Sequence, residues 1–376
     1  MLMNEGRVLT VRFADGTSHG FHALWLRENS PHPENIDPTT RHKLHDSAFF
    51  PIDVRVQDAR AEADELVLAF DDGHHCRYDM SALRAAAFEP FPSDLVGEKL
   101  TWCANIGSLP WHDLTRLEGE GAAVLDFLND IARLGFALVR GVPLEPDGMT
   151  RLTDLIGFIR LTNSGGIADV KTVPQAYDLS MTTQKLEPHV DNPYRYPQPG
   201  FTLLHCLRND ADGGESILVD GFRVAELIRE EDEALFDALV RVPVAYRYRD
   251  EQAILEYVAP FIDLWPDGSL KQTRFHGRCD QVVALDPETL ELFYRARRRY
   301  AELIWSDSIR LTLKLSPGEM YFADNFRVFH GRAPFSLESG VRHMRQAYMD
   351  RDVVSSRQKT LIRDPSSKPW RPRVHE

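Results

Sequence analysis

The chain has 376 residues, a net charge of −13, 43% hydrophobic and 27% charged side chains, and a mean hydropathy of −0.34. That length can bury a large core and suits one large domain plus a smaller one. The lack of any run of about 18 apolar residues excludes a membrane-spanning helix. An acidic chain with a pI near 5.6 and no basic block grips a phosphate backbone poorly, so no nucleic-acid partner is expected.

The start, MLMNEGRVLTVRFADG, reads as a strand and turn rather than a basic region before an apolar signal core, so a cytoplasmic protein is expected. Residues 6–12 alternate like a half-buried strand, and Ala14-Asp15-Gly16 turns the chain into a second strand reaching HALWLRE. ELVLAF at 65–70, then Asp71-Asp72-Gly73 and HHCRYD, predict another hairpin. Together these make a small β-rich domain over 1–92, and FEPFPSDLVGEKLTW has the proline and charge content of a linker.

A second domain is predicted over 97–376. Val124, Leu128, Ile131 and Leu134 recur at helical spacing, with Gly135 as a C-cap and FALVRG as a buried strand after it. Further helices are expected from Thr150, over 222–240 and over 287–304. Between them lie short apolar runs: FTLLHCL (201–207), SILVDGF (216–222), VPVAYRY (242–248), LTLKL (311–315) and RQAYMD (345–350). Many short strands without βαβ alternation favour a β-barrel or jelly roll with helices packed outside.

Cys76, Cys103, Cys206 and Cys279 lie far apart with no CxxC pair, which excludes a cysteine-rich zinc site and gives no disulfide framework. His189-Val190-Asp191 is a different kind of signal. About one HxD triplet is expected by chance at ordinary residue frequencies, but on a strand positions i and i+2 share a face and reach one point. Two histidines and a carboxylate on one face of iron leave three positions open, as O2-activating oxygenases require. His330, in FADNFRVFHGR, is the candidate second histidine, and Arg342 follows it. A dicarboxylate that chelates iron at one end needs a cation for its other carboxylate, and arginine offers a two-pronged fork. The order HxD, about 140 residues, His, then Arg says more than any one element; singly, each histidine reads as an ordinary strand residue.

HVDNPYRYPQPGFTLLHCL, GGESILVDGF, PGEMYFADNFRVFHGR and RHMRQAYMDRDVV resemble the γ-butyrobetaine and trimethyllysine dioxygenases, within the wider taurine-dioxygenase-like superfamily. The match covers most of residues 100–355, and the early WLREN resembles that family's N-terminal domain. The resemblance implies a double-stranded β-helix (jelly roll), mainly β with helices. It also implies Fe(II) at His189, Asp191 and His330, with the co-substrates 2-oxoglutarate, bound through Arg342, and O2. Ser216, in GGES, stands where the superfamily places a hydroxyl that touches 2-oxoglutarate. Keeping Asp191 implies hydroxylation, since related halogenases lack that carboxylate. A homodimer is implied by analogy alone.

The sequence also departs from the family. The γ-butyrobetaine enzymes bind zinc through three cysteines just after WLR-(D/E)-N, whereas SPHPEN has none; no zinc is expected there, with His32, His74 and His75 the only alternative ligands. The betaine hydroxylases hold the trimethylammonium group in an aromatic cage. The matching upstream positions here are Ser164, Ala168 and Met181, none aromatic; Tyr348 does match. Tyr177, Tyr194 and Tyr196 are candidates to rebuild the cage, and Asn192 is also assigned to the substrate side.

Where the family uses asparagines for the substrate carboxylate, this chain has Asp178 and the segment Arg274-Phe275-His276-Gly277-Arg278. Replacing amides by Arg274, His276 and Arg278 favours a more highly charged head group such as a phosphonate, with Asp178 facing the cationic end. The expected small-molecule substrate is therefore a trimethylammonium zwitterion, with 2-(trimethylamino)ethylphosphonate the best fit. The alternatives are γ-butyrobetaine, another small substrate on the same iron site (an amino acid or a sulfonate), a protein side chain, or a non-catalytic jelly-roll binding protein.

Overall fold

The computed structural model describes residues 1–88, 94–172, 182–336 and 338–369, and the chain divides into two compact units, Met1–Ser93 and Asp94–Glu376. In the first unit, two three-stranded antiparallel sheets (Leu2–Met3, Val8–Arg12, Ser18–His22 and Val56–Glu62, Glu65–Phe70, His75–Asp79) share one core with Leu26, Phe70 and Tyr78. The expected second strand stops early. His22 accepts a hydrogen bond from the Leu24 N–H through Nδ1, and Ala23–Glu28 is helix, because an N-cap acceptor favours the helical turn over continued pairing.

The larger unit has a jelly-roll core. One sheet orders Trp111–Asp113, Phe136–Arg140, Met320–Asp324, Phe201–Asn209, Arg342–Met349 and Ile167–Lys171; the other orders Leu186–His189, Val328–Arg332, Ser216–Asp220 and Leu311–Leu313. Period-two alternation decides what each strand feeds. Phe136 and Leu138 point between the sheets with Leu204, Leu218, Tyr321 and Val328, while Ala137 and Val139 face outward. Both outer faces are covered, so the central strands are apolar on both sides, as Ser216–Asp220, buried throughout, illustrates.

The covering helices follow the sequence pattern. Gly121–Leu134 buries Val124, Phe127, Leu128 and Ile131 on the six-stranded sheet and ends at Gly135, whose φ of +80° is the left-handed cap only glycine adopts freely. The helix expected over 222–240 is two, Gly221–Glu231 and Glu233–Arg241. Asp232 breaks it: at an extended φ/ψ its carboxylate accepts from the Ala234 and Leu235 N–H groups and caps the second helix. These two and Pro287–Trp305 cover the four-stranded sheet. The helix from Thr150 is one turn, Thr150–Thr153, and Arg351–Arg363 is a helix that the sequence reading did not place.

Asp220 and Arg327 join these layers in a fully buried two-pronged pair at 2.8 and 3.0 Å, and Arg327 also donates to the carbonyls of Leu100 and Arg133. Asp220→Ala leaves that guanidinium buried without its counter-charge, and the larger unit should lose about 3–5 kcal/mol. The urea midpoint of the variant, at unchanged slope, measures this.

Candidate metal centre

His189 ends the Leu186–His189 strand and sits directly opposite His330 on Val328–Arg332 in the antiparallel register. Their ring centroids are 4.6 Å apart. Asp191 lies between them, Oδ1 3.5 Å from His189 Nε2 and Oδ2 3.2 Å from His330 Nε2. One ligand atom from each of the three lies within 4.8 Å of the others, and this is the one such group among the described residues.

The strand does not run on to Asp191, as i, i+2 facing required. It ends at His189, and the next residues are held differently: the Val190 N–H donates to the Phe275 carbonyl, and the Asn325 side chain brackets Asp191, accepting from its N–H at 2.8 Å and donating to its carbonyl at 2.9 Å. Asn192 then takes φ +52°, in the left-handed region.

Protonation suits a cation. The His189 Nδ1–H donates to the Glu187 carbonyl at 2.7 Å, which leaves the Nε2 lone pair facing Asp191. Burial, with His330 alongside, pushes the His189 pKa down, so its imidazole is neutral. Burial works against the Asp191 charge, yet the His330 and His189 imidazoles beside it hold its carboxyl well below the usual carboxylate range. Gln346 Nε2 at 2.7 Å and Thr202 Oγ1 at 3.2 Å also donate to Asp191 Oδ2. Two imidazoles and one carboxylate form a donor set that fits ferrous iron.

A cavity opens over this group. Arg342 lines it, 4% exposed, donating to the Gly214 carbonyl at 3.2 Å and facing the Phe335 ring, with no acid paired to it among the described residues. Burial pulls its pKa down to about 10, so it stays cationic at neutral pH. A buried guanidinium without a carboxylate is a ready site for an anion. Ser216, by contrast, is buried on its strand opposite Arg332 and Leu313 and is not part of the cavity wall.

The other assigned residues divide. Asn192, Tyr194, His276, Arg278 and Tyr348 line the cavity, with Ser164 and Ala168. Tyr194 Oη donates to Asn192 Oδ1 at 2.6 Å, and its ring stacks on Tyr248 at 5.2 Å. Burial, with Asp191 nearby, raises the Tyr348 phenol far above its ordinary pKa and keeps it neutral. The His276 ring packs edge-on against His189 at 4.9 Å.

Arg274 is a correction. Its guanidinium is 3% exposed, paired to Asp263 at 2.6 Å and donating to Gln272 at 2.6 Å, and is therefore committed to the protein interior rather than to a substrate. Tyr196 is another: it is 81% exposed, stacked on Tyr257 and outside the cavity wall. Asp178, Met181 and Tyr177 lie outside the described residues. In the first unit, His74 is hydrogen-bonded to Ser30 Oγ at 2.8 Å with the His32 ring 5.5 Å away, while His75 is exposed.

Sequence reasoning missed Tyr248, Tyr321 and Gln346 in the wall and Asn325 behind it. Tyr248 had a signal: it follows buried Tyr246 by two residues on the Val244–Arg249 strand, so the two share a face.

Residues 98–348 match the Taurine catabolism dioxygenase TauD, TfdA family, and residues 1–85 match the Gamma-butyrobetaine hydroxylase-like, N-terminal family. The chain is 34% identical to the Gamma-butyrobetaine dioxygenase of Pseudomonas sp. (strain AK-1), over 93% of this chain and 92% of that one. It is 26% identical to the Trimethyllysine dioxygenase of Meyerozyma guilliermondii, covering 94% and 93% of the two chains. Among solved structures, asparagine oxygenase in complex with Fe(II), 2S,3S-3-hydroxyasparagine and succinate superposes with a TM-score of 0.52 at 18% identity, over 63% of this chain and 80% of that one, a likeness of fold. No helix among the described residues is long and apolar enough to cross a membrane. With two thirds of its length matched and a full-length relative above 30% identity, the chain belongs to the TauD/TfdA dioxygenase family and is an enzyme of it.

Proposed function

We propose that this enzyme is an Fe(II)- and 2-oxoglutarate-dependent hydroxylase of a small trimethylammonium zwitterion, with 2-(trimethylamino)ethylphosphonate as the substrate. His189, Asp191 and His330 hold the iron, and Arg342 holds the far carboxylate of 2-oxoglutarate. Iron, 2-oxoglutarate and O2, once bound, would supply the oxidising chemistry: one oxygen atom of O2 would end in succinate as CO2 leaves 2-oxoglutarate, and the other in the hydroxyl of the product. The protein's part is placement and exclusion of water, and no side chain is assigned as a general base or nucleophile.

One observation carries the substrate reading: aromatic rings and an unpaired cation line the same cavity. Tyr194, stacked on Tyr248, and Tyr348 offer ring faces to a quaternary ammonium, which cannot hydrogen-bond and is attracted by the ring quadrupole. Arg278, exposed and unpaired among the described residues, and His276 supply donors for an anionic end. A phosphonate dianion uses both better than a carboxylate does. The dioxygenases named for γ-butyrobetaine and trimethyllysine, which this chain resembles over most of its length, support the trimethylammonium class.

The Fe(II)-loaded protein, given 2-(trimethylamino)ethylphosphonate and γ-butyrobetaine in turn, should release succinate faster with the phosphonate. Faster turnover of γ-butyrobetaine overturns that choice of head group and leaves the cage intact. Tyr248→Leu should raise the substrate KM about 2- to 30-fold, the equivalent of the roughly 0.5–2 kcal/mol of one cation–π contact. The neutral tert-butyl analogue, with carbon in place of the ammonium nitrogen, should be indifferent to that change.

A further inference from the structure

We infer that Arg274 and Asp263 are positioning residues for the metal carboxylate, acting on Asp191 through a chain of hydrogen bonds that runs through buried side chains and the backbone of Asn325. The inference rests on Asp191 being an iron ligand. The chain begins on the Ile262–Leu264/Leu270–Thr273 hairpin, outside both main sheets. Arg274 Nη1 donates to Asp263 Oδ2 and Nη2 donates to Gln272 Oε1, each at 2.6 Å. Gln272 Nε2 donates to Gln198 Oε1 at 2.8 Å, and Gln198 Nε2 donates to the backbone carbonyl of Asn325 at 3.0 Å. Asn325 then clamps the N–H and carbonyl of Asp191.

Arginine gives this chain a direction. A guanidinium has five donors and no acceptor, so Gln272 must turn its oxygen toward it. That choice points the Gln272 amide nitrogen at Gln198, whose oxygen must accept and whose nitrogen must donate onward. Arg274, Gln272, Gln198 and Asn325 are 3%, 3%, 5% and 0% exposed, so water does not substitute for a missing partner.

At the far end the clamp has strain to resist. Asn192, next to Asp191, is held at φ +52°, in the left-handed region that non-glycine residues rarely adopt. The same segment also touches the triplet directly, through Phe275 to the Val190 N–H and through the His276 ring on His189. Partners behind metal ligands typically change metal affinity by about 10- to 100-fold when removed.

The test is anaerobic titration of the metal-free full chain with Co(II), followed by its visible absorption, alongside aerobic assays of the Fe(II) form. Arg274→Leu should weaken Co(II) binding at least tenfold and raise succinate released per hydroxylated product above that of the wild type. The KM for 2-oxoglutarate should stay within about twofold, because Arg342 is not on the chain. Arg274→Leu also strips Asp263 of its partner, so Gln272→Leu is the second variant: it cuts the chain while leaving the ion pair, and should weaken Co(II) binding comparably. Folded Gln272→Leu that binds Co(II) within twofold of wild type overturns the inference. A wild-type chain that binds no Co(II), or His189→Ala that binds it equally well, overturns the iron-site reading itself.

Discussion

Asp191→Ala will bring 2-oxoglutarate consumption down by about three orders of magnitude or more, to the background of free ferrous ion, while the chain stays folded. The loss follows from the donor set: with the carboxylate gone, two imidazoles remain and the charged ligand that completes the set for Fe(II) is missing. The fold survives because no arginine or lysine among the described residues is paired to this carboxylate. Gln346 and Thr202 lose an acceptor, which destabilises by about 1–3 kcal/mol, small beside the apolar burial between the two sheets and under the helices that cover them. Succinate release and a thermal melt, measured on the same preparation, separate the two effects. Wild-type succinate release by this variant would mean that iron sits elsewhere. His189→Ala should behave alike.

The second large effect is at Arg342, where Ala should raise the KM for 2-oxoglutarate about 100-fold with a much smaller change in kcat. Two charge-assisted hydrogen bonds to a carboxylate, lost together, amount to about 3 kcal/mol. The same guanidinium predicts a pH profile. Buried down to a pKa of about 10, it carries its charge throughout the neutral range, so co-substrate affinity is present below that pH and fades as pH rises through it. It also predicts that 2-oxoglutarate protects the fold. An anion that pairs a buried, acid-free cation binds the native state alone, and at 100 times its Kd it adds about 2.7 kcal/mol. Arg342→Ala should lose most of that protection, melting only slightly higher with 2-oxoglutarate than without it.

What the sequence showed and what it hid follow a physical line. The convergence of His189, Asp191 and His330 and the place of Arg342 in the cavity wall were legible because metal and dicarboxylate chemistry, where it is sought, restricts residue type, order and rough spacing, and the helix ending at Gly135 was legible because capping is local. Arg274 misled for the opposite reason. An arginine near a pocket in sequence can face a ligand or an internal acid, and only the approach of Asp263, on the neighbouring strand of its hairpin, decides which. Tyr196 looked as suitable as Tyr194, yet only Tyr194 lines the cavity, its ring stacked on Tyr248 of the Val244–Arg249 strand. Asn325 was invisible because its task is to hold backbone, which leaves no pattern of spacing to read.

The direct pairing of His189 with His330 has one more consequence. Side chains alternate faces along a strand, so sliding either strand by a single residue turns one imidazole away from the other. Ferrous ion therefore recognises a correctly threaded sheet and no misaligned neighbour of it. Metal captured during folding would act as a proofreader, withdrawing properly aligned molecules from the pool of slipped ones.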